Sequence, residues 1–388
     1  MYTVISFTKR GFMSTISDKP VDVVIIGSGP VGLAEACILK CMNKELKIVV
    51  MDKRPDTTRK HGLKIETDTV KKIVDILEEN LINADGTEKK QIIGLQEIFK
   101  KWGGNVIRTN DIEDELKNKA DSLGVIVLRD EKYEATAKDL NVNSKVHSHD
   151  KNEKQKYLKE AKVIVGADGS HSVVRETVMR NELEHEKNLS YLIEFKFQTP
   201  QTTKRRTNWQ AIKLFLKTGS VDFETMGKGN PDETLKPATL HVAVNKKTYD
   251  KFRPADRAGN PIKGTFQDSW SEDEINEASL ISKEIADTLK IYNAYKKDVE
   301  KRGGKCEDLK ISTIPMGVYR SKKVAENFHG KYVLLAGDAS SGVVFGRGVN
   351  KGFQEAVICA DKIDKYYKNF FMKKNQNWYR FTSTIYCV

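Results

Sequence analysis

The chain has 388 residues, too many for one simple hydrophobic core, and its length predicts two interlocked domains. Charged residues make up 31% of the chain, and the net charge is +12. Lysines and acids are interspersed without an arginine-rich aromatic stripe, which argues against nucleic-acid binding. The excess of positive charge then has two explanations, an acidic protein partner or a lysine-rich proteome. Five cysteines without a C-x-x-C pair argue against a disulfide framework and against a zinc site, and we expect a reducing, cytoplasmic location. No apolar run is long enough for a transmembrane segment.

The N-terminal segment has its own composition. Its first seventeen residues contain Lys9, Arg10 and several serines and threonines, but no acid. This composition fits a weak organellar transit peptide, a translation start at Met13, or a disordered segment. We expect residues 1–20 to form a flexible tail.

An apolar run followed by three glycines is the clearest pattern in the chain. Val23–Ile26 predicts a strand buried on both faces. Gly27, Gly29 and Gly32 follow with the spacing G-x-G-x-x-G, which provides a tight turn, a close approach for a pyrophosphate and close helix–strand packing. A helix from about Pro30 to Met42 would direct the positive end of its dipole toward that pyrophosphate.

An acidic residue ends the next predicted strand. Residues 48–51 are apolar, and Asp52 follows them about twenty residues after the last glycine of the turn. A carboxylate at that place can accept hydrogen bonds from the ribose hydroxyls of an adenine dinucleotide. The order strand, glycines, helix, strand and acid therefore predicts a dinucleotide site on a Rossmann-type sheet.

The rest of the chain alternates between helical and strand periodicity before and after a strand-rich middle section. Helices are predicted at residues 69–81, 92–102, 111–123, 279–300 and 349–370. Strands are predicted at residues 125–128, 163–165, 191–197, 211–216, 239–244, 311–320 and 332–335. Residues 141–160 are almost entirely polar and predict a solvated loop.

Two further motifs follow the glycine turn. Residues 163–175 contain an apolar strand, Asp168-Gly169, then Ser172 and Arg175. Residues 334–350 contain a second apolar strand, Gly337-Asp338 and a glycine-rich loop that leads into a helix. With the glycine turn, these motifs resemble the p-hydroxybenzoate hydroxylase family of FAD-dependent class A flavoprotein monooxygenases.

The resemblance implies a fold, domain bounds and a set of cofactor contacts. The fold is α/β, with a discontinuous Rossmann-type FAD-binding domain at 21–185 and 305–370, an inserted antiparallel-sheet substrate domain at 186–304, and a tail at 371–388. In the family pattern, Asp338 holds the ribityl chain, and Gly348 and Asn350 line the flavin pyrimidine edge. The cofactor-binding residues proposed in this way are Gly27, Gly29, Pro30, Gly32, Asp52, Lys53, Arg54, His61, Arg108, Asp168, Gly337, Asp338, Gly348, Val349 and Asn350.

Three arginines and one histidine each have two possible roles. Arg54, Arg108 and Arg175 are fork-shaped donors suited to diphosphates, and the alternative for each is an ordinary surface arginine. His61 is a candidate flavin contact or proton carrier, or an exposed loop histidine. We assign no residue a catalytic role and expect no metal.

The resemblance also implies an activity. NADPH or NADH would reduce FAD as a transient co-substrate, O₂ would add to the reduced flavin, and a flavin C4a-hydroperoxide would hydroxylate a small-molecule substrate. The third motif departs from the family, because Ser340-Ser341 and residues 343–345 replace its histidine and proline in a shorter loop. Two alternatives therefore stay open: a flavin-dependent reductase or dehydrogenase of the same fold, and an FAD-binding protein without catalysis that acts through a protein partner.

A second, fainter resemblance concerns the substrate. Residues 59–63 and 241–252 are similar to parts of the MICAL monooxygenases, which oxidise actin methionines. The basic charge of the chain would suit an acidic filament of that kind.

Overall fold

A computed structural model describes most of the chain. The described residues are 19–57, 62–82, 84–130, 140, 153–200, 220–226, 234–252, 283–301, 305–343 and 348–372. His61, the predicted strand at 211–216 and nearly all of both predicted tails lie outside these ranges. The chain forms two compact units, one made of Met1–Leu183 with Ser321–Val388 and the other of Glu184–Arg320. The predicted domain bounds, with an insert at residues 186–304, stay a prediction.

The elements alternate between strands and helices in the first unit and are strand-rich in the second. The strands are β1 Val23–Ile26, β2 Ile48–Asp52, β3 Gly62–Lys64, β4 Val106–Arg108, β5 Ile126–Arg129, β6 Val163–Gly166, β7 Leu183–Pro200, β8 Ser220–Met226, β9 Leu235–Val244, β10 Glu307–Ser321, β11 Ala325–Phe328, β12 Lys331–Leu335 and β13 Ser341–Gly342. The helices are α1 Pro30–Met42, α2 Thr67–Leu81, α3 Gly86–Trp102, α4 Thr109–Ser122, α5 Glu153–Glu160, α6 Val173–Val178, α7 Lys246–Phe252, α8 Lys283–Lys301 and α9 Gly348–Met372.

The first unit is organised around a six-stranded sheet in the order β11-β12-β6-β1-β2-β5. Five consecutive strands of this sheet are parallel to one another, namely β12, β6, β1, β2 and β5. The edge strand β11 pairs antiparallel with β12. Because parallel strands need crossover connections, helices lie between them in the chain. The carboxyl ends of the parallel strands therefore share one edge of the sheet.

Strand β1 is buried on both faces, as predicted. Val23 and Ile25 belong to a core that also contains the apolar faces of α1 and α2. Val24 and Ile26 belong to a second core on the opposite face of the sheet. Two layers of helices thus explain why the strand is continuously apolar rather than alternating.

Two helices differ from the sequence-based expectation. Helix α3 begins at Gly86, six residues before the predicted start, because Asp85 and Glu88 form a capping box that stabilises a polar first turn. Residues 153–160 form α5 rather than a loop, so the prediction was wrong there. Tyr157 and Leu158 of α5 are buried in the second core, which stabilises this short and largely polar helix.

The second unit contains a sheet in which β10, β7, β9 and β8 follow one another. Strand β9 pairs antiparallel with both β7 and β8. Ile193, Phe195 and Phe197 alternate along β7 and pack in one core with Leu289 and Tyr292 of α8. These observations confirm the predicted α/β class, with a Rossmann-type sheet and a separate antiparallel sheet.

Candidate active site

Three loops leave adjacent parallel strands at one edge of the first unit's sheet. Backbone hydrogen bonds extend the ladder just beyond the strands: Gly27 N donates to Met51 O over 2.7 Å, and Ala167 N donates to Ile26 O over 2.7 Å. Ala336 N donates to Gly166 O over 2.9 Å. The starts of all three sequence motifs are therefore side by side, at the carboxyl edge where doubly wound sheets bind their ligands.

The glycines of the first turn have two different explanations. A Cβ at Gly27, whose φ is +110°, would lie 2.3 Å from Ala167 O, and a Cβ at Gly32 would lie 2.1 Å from Gly27 O. Packing within the protein therefore requires glycine at both positions. A Cβ at Gly29 would meet nothing closer than 3.9 Å. Its φ of −72° is also open to any residue, so neither packing nor backbone conformation accounts for Gly29.

Pro30 begins α1 directly after this turn, with Gly29 in the N-cap position and no side-chain cap. Proline is suited to the first helical position because its missing N–H needs no partner there. The uncapped N–H groups of the first turn of α1 point toward the same carboxyl edge as Gly29. The segment has the form expected of an anion site, which is what the glycine spacing predicted.

Asp52 is held by the groups around it. Its Oδ2 atom accepts hydrogen bonds from Ser28 N (2.7 Å), Ser28 Oγ (3.1 Å) and Arg54 Nη2 (2.9 Å). Its Oδ1 atom accepts from Arg54 N (2.9 Å) and Arg54 Nε (3.2 Å). Burial alone would raise the pKa of Asp52, but the hydrogen bonds and positive charge of Arg54 hold that pKa below its usual value. The carboxylate is thus charged at neutral pH.

Two charged residues at this turn were not foreseen from the sequence. Glu113 of α4 is fully buried, and its Oε1 atom lies 3.4 Å from Arg54 Nη1. Arg129, at the end of β5, donates from Nε to Ser28 Oγ over 2.9 Å. The sequence indicated the place of Arg129 only weakly, because Arg129 ends a strand that is parallel to β2. The sequence did not indicate the place of Glu113, because Glu113 is one of several acidic residues in a charged helix.

The remaining predicted residues near this turn differ in exposure. The side chain of Lys53 is exposed, and Arg108 is half-buried at the end of β4, where it is the N-cap of α4. Gly62 pairs with Arg108 across the two-stranded sheet β3–β4. The backbone of Arg108 therefore belongs to this separate two-stranded sheet rather than to the main sheet.

Asp168 caps the helix that follows it. Its Oδ2 atom accepts a hydrogen bond from Val173 N over 2.7 Å, at the start of α6. Its Oδ1 atom is buried and has no hydrogen bond of normal geometry to any residue that the structure describes. Burial raises the pKa of Asp168, against the lowering effect of Ser172 and the backbone donors. Gly169 has a φ of +85°, which fits the tight turn at this point.

Arg175 has a structural role inside the protein. Its side chain is buried, and Nη1 donates to Asp338 O (3.2 Å) and Ala339 O (2.9 Å). Nη2 donates to Ser170 O over 2.6 Å. Since these donors point at main-chain carbonyls, Arg175 ties the second motif to the third. This buried contact differs from both alternatives left open for Arg175, a diphosphate contact and a surface arginine.

The third loop brings its glycines close to Asp338. Gly337 has a φ of +63° and begins a single 3-10 turn, Gly337–Ala339. A Cβ at Gly348 would lie 2.9 Å from Asp338 Oδ1, so the start of α9 is next to this exposed carboxylate. Residues 344–347, between them, lie outside the described ranges.

Asn350 is the most constrained of the predicted pyrimidine contacts. Its Oδ1 atom accepts from Glu66 N over 2.8 Å, and its Nδ2 atom donates to Lys64 O over 2.8 Å. Val349 beside it is buried. The Asn350 side chain therefore ties the first turn of α9 to the segment after β3.

Comparison with known proteins identifies the family. Residues 20–369 match the family model described as FAD binding domain. The chain belongs to this family. The match confirms the resemblance to class A flavoproteins and shows that FAD is the cofactor of the family; the likeness to MICAL proteins stays a prediction.

Solved structures share the fold at low sequence identity. CmlS, a flavin-dependent halogenase, superposes with a TM-score of 0.53 at 13% identity, over 92% of this chain and 60% of CmlS. BexE, studied for oxidation during BE-7585A biosynthesis, superposes with a TM-score of 0.51 at 17% identity, over 90% of this chain and 63% of BexE. The tetracycline destructase Tet(51) superposes with a TM-score of 0.50 at 15% identity, over 95% of this chain and 86% of Tet(51). No curated protein matches the chain.

The chain thus spans less than two thirds of the length of CmlS and of BexE. Among the helices that the structure describes, none is both long and apolar enough to cross a membrane. Within the same described residues, no cluster of metal-ligating side chains occurs.

Proposed function

We propose that the chain is an FAD-dependent monooxygenase that uses NADPH or NADH and O₂ to hydroxylate a small-molecule substrate. One observation carries the proposal: three sequence-distant loops begin side by side at the carboxyl edge of the sheet, around Gly29, whose lack of a side chain is explained by none of the residues that the structure describes. A ligand that approaches the backbone at Gly29 would explain it. Membership of the FAD binding domain family supports FAD as that ligand.

The residues of the turn fit a dinucleotide. The N–H groups at the start of α1 would receive the diphosphate, and Asp52 would orient the ribose. The charges are balanced, because Arg54 and Arg129 offset Asp52 and Glu113 before any ligand arrives. Because Arg54 Nη2 would lie 3.9 Å from a Cβ at Gly29, Arg54 is well placed to pair with the diphosphate.

The third loop fits the flavin end of the same cofactor. Asp338 would hold the ribityl chain, and the backbone of Gly348, Val349 and Asn350 would face the pyrimidine edge. Asn350 positions this backbone through Lys64 and Glu66. Bound FAD would supply electron transfer and oxygen activation, while the protein supplies position and water exclusion.

A second candidate is a flavin-dependent reductase or dehydrogenase without oxygen insertion. The observation that favours it is the change in the third motif. Ser340 and Ser341 are buried, and both hydroxyls donate to Glu355, over 2.7 Å and 3.3 Å. Neither hydroxyl therefore takes the place of the histidine that the family carries there.

An anaerobic titration separates the two candidates. The purified protein, loaded with FAD, is mixed with NADPH and separately with NADH, and the flavin absorbance is followed before and after air is admitted. A monooxygenase predicts rapid bleaching with one of them, then reoxidation with hydroxylated product when small aromatic compounds are screened. Slow reoxidation that releases hydrogen peroxide and yields no hydroxylated product would favour the reductase. Flavin that neither nucleotide reduces would contradict both and favour an FAD-binding protein that acts through a partner, for which acidic proteins including actin are the first to test.

A further inference from the structure

Two carboxyl groups are enclosed between α1 and α9, directly under the third loop. Gly352 allows the helices to approach, because a Cβ there would lie 2.4 Å from Val31 Cγ2 and 3.2 Å from Gly337 Cα. One turn further along each helix come Glu35 on α1 and Glu355 on α9. None of the functions assigned above uses either carboxyl group.

Glu355 holds the third loop through hydrogen bonds. Its Oε2 atom accepts from Gly337 N (2.8 Å) and Ser340 Oγ (2.7 Å). Its Oε1 atom accepts from Ser341 Oγ (3.3 Å) and lies 3.7 Å from Lys351 Nζ. Three donors from the loop and one nearby cation favour the charged form of this carboxyl group.

Glu35 has the opposite environment. Its residue is 0% exposed, and both of its oxygens are buried without a hydrogen-bond partner among the residues that the structure describes. A buried, unpaired carboxylate is costly, so the neutral acid is the stable form of Glu35. Burial raises its pKa well above the usual value, and the charge of Glu355 raises it further.

The other titratable groups near the pair are few. Cys359 follows Glu355 by one turn of α9, and burial and both glutamates raise the pKa of its thiol, so this group stays neutral. Burial also raises the pKa of Glu355, against the lowering effects of Ser340, Lys351 and the loop donors. The Ser340 hydroxyl also lies 3.0 Å from Gly337 O. Because the loop donors reach Glu355 and no described residue donates to Glu35, we assign the charge of the pair to Glu355 and the proton to Glu35.

We propose that Glu355 is a positioning residue for the Gly337–Ser341 loop, and that Glu35 must stay protonated for this hold to persist. Loss of the Glu35 proton to solvent would create a fully buried negative charge close enough to Glu355 for the two like charges to repel each other. The hydrogen bonds from Gly337, Ser340 and Ser341 to Glu355 would then weaken. Since the loop contains Asp338, the consequence for FAD rests on the function proposed above, whereas the effect on the loop does not.

The test is hydrogen–deuterium exchange of the cofactor-free protein, read on the peptide that contains Gly337 and corrected for the intrinsic rate at each pH. Burial raises the pKa of Glu35 well above its usual value, so in the wild-type chain we expect protection of the Gly337 amide to fall roughly tenfold or more between about pH 6 and the highest pH at which circular dichroism still shows the native fold. Glu35→Gln should keep its protection across that range. Glu355→Gln should lose protection already at about pH 6. Glu79→Gln, on the exposed face of α2, is the matched control and should behave as wild type.

Three outcomes would overturn the proposal: constant protection in the wild-type chain, an equal fall in Glu35→Gln, or full protection in Glu355→Gln. FAD affinity of the same variants, followed by flavin fluorescence, gives an independent reading. It should weaken with rising pH in the wild-type chain and not in Glu35→Gln. No FAD binding by any variant, with the exchange pattern intact, would overturn the proposed function and leave the positioning role of Glu355 standing.

Discussion

The turn after β1 and the loop after β12 both connect a buried parallel strand to a long helix, but different parts of the chain shape them. In the turn, the backbone does so: Gly27 and Gly32 fit against carbonyl oxygens at distances that exclude a Cβ. In the loop, a side chain has this role: Glu355, about two helical turns into α9, accepts hydrogen bonds from Gly337, Ser340 and Ser341. A site held by backbone packing leaves a fixed spacing in the sequence, whereas a site held by one buried side chain does not.

The largest expected effect is on the backbone-shaped turn. Gly27→Ala would place a Cβ 2.3 Å from Ala167 O at a φ of +110°. We expect this change to lower the free energy of unfolding by more than about 3 kcal/mol, because it combines a steric clash with a strained conformation. Urea denaturation of the cofactor-free protein measures it. Wild-type stability in this variant would show that the turn can accommodate a Cβ at position 27, which contradicts the structure.

The next effect separates ligand contact from packing within the same turn. Gly29→Ala should weaken FAD binding roughly 100-fold, because the new Cβ would occupy the approach to the backbone. The free energy of unfolding should stay unchanged or rise by up to about 1 kcal/mol, since the backbone suits alanine.

Gly86→Ala is the matched control for Gly29→Ala, because a Cβ there meets nothing within 4 Å. It should leave FAD affinity at the wild-type level. Titration calorimetry with FAD compares the two variants directly. Equal affinities would remove Gly29 from the cofactor site.

A smaller effect concerns the charge at the end of β2. Asp52→Asn should lower the free energy of unfolding by about 2 kcal/mol at neutral pH, because Arg54 and Ser28 lose a charged acceptor. The folded pKa of Asp52 lies below its usual value, so its contribution is complete above the usual pKa and is lost as pH falls through the folded pKa. The free energies of unfolding of the wild-type chain and of Asp52→Asn, measured by thermal unfolding across acidic pH, should therefore converge as pH falls. A constant difference down to the lowest pH would show that the Asp52 charge does not act in this way.

Most of the first unit's framework could be predicted from the sequence. Strand β1, helix α1 and the acid at Asp52 lie where hydrophobic periodicity and the glycine spacing placed them, because both patterns arise from local geometry. Strand β6 and Asp168 followed for the same reason. These elements depend on contacts between neighbouring strands, which repeat from one such fold to the next.

The side-chain contacts between distant segments could not be predicted. Arg175 looked like a phosphate ligand, but it binds carbonyls of residues 338 and 339, which are far along the chain. Glu113, Arg129 and Glu355 are ordinary charged residues in their own elements, and only folding brings them to the loops. The helix at Glu153–Glu160 was missed because its stability comes from burial of Tyr157 and Leu158, not from periodicity.

The most direct test of the central claim is the flavin content of the full chain. The purified protein is incubated with FAD and desalted, and the bound flavin is measured by absorbance against protein concentration, with circular dichroism as a check that the chain is folded. Convergence of the three loops around Gly29 predicts one FAD per chain. A folded chain that retains no FAD would contradict the account.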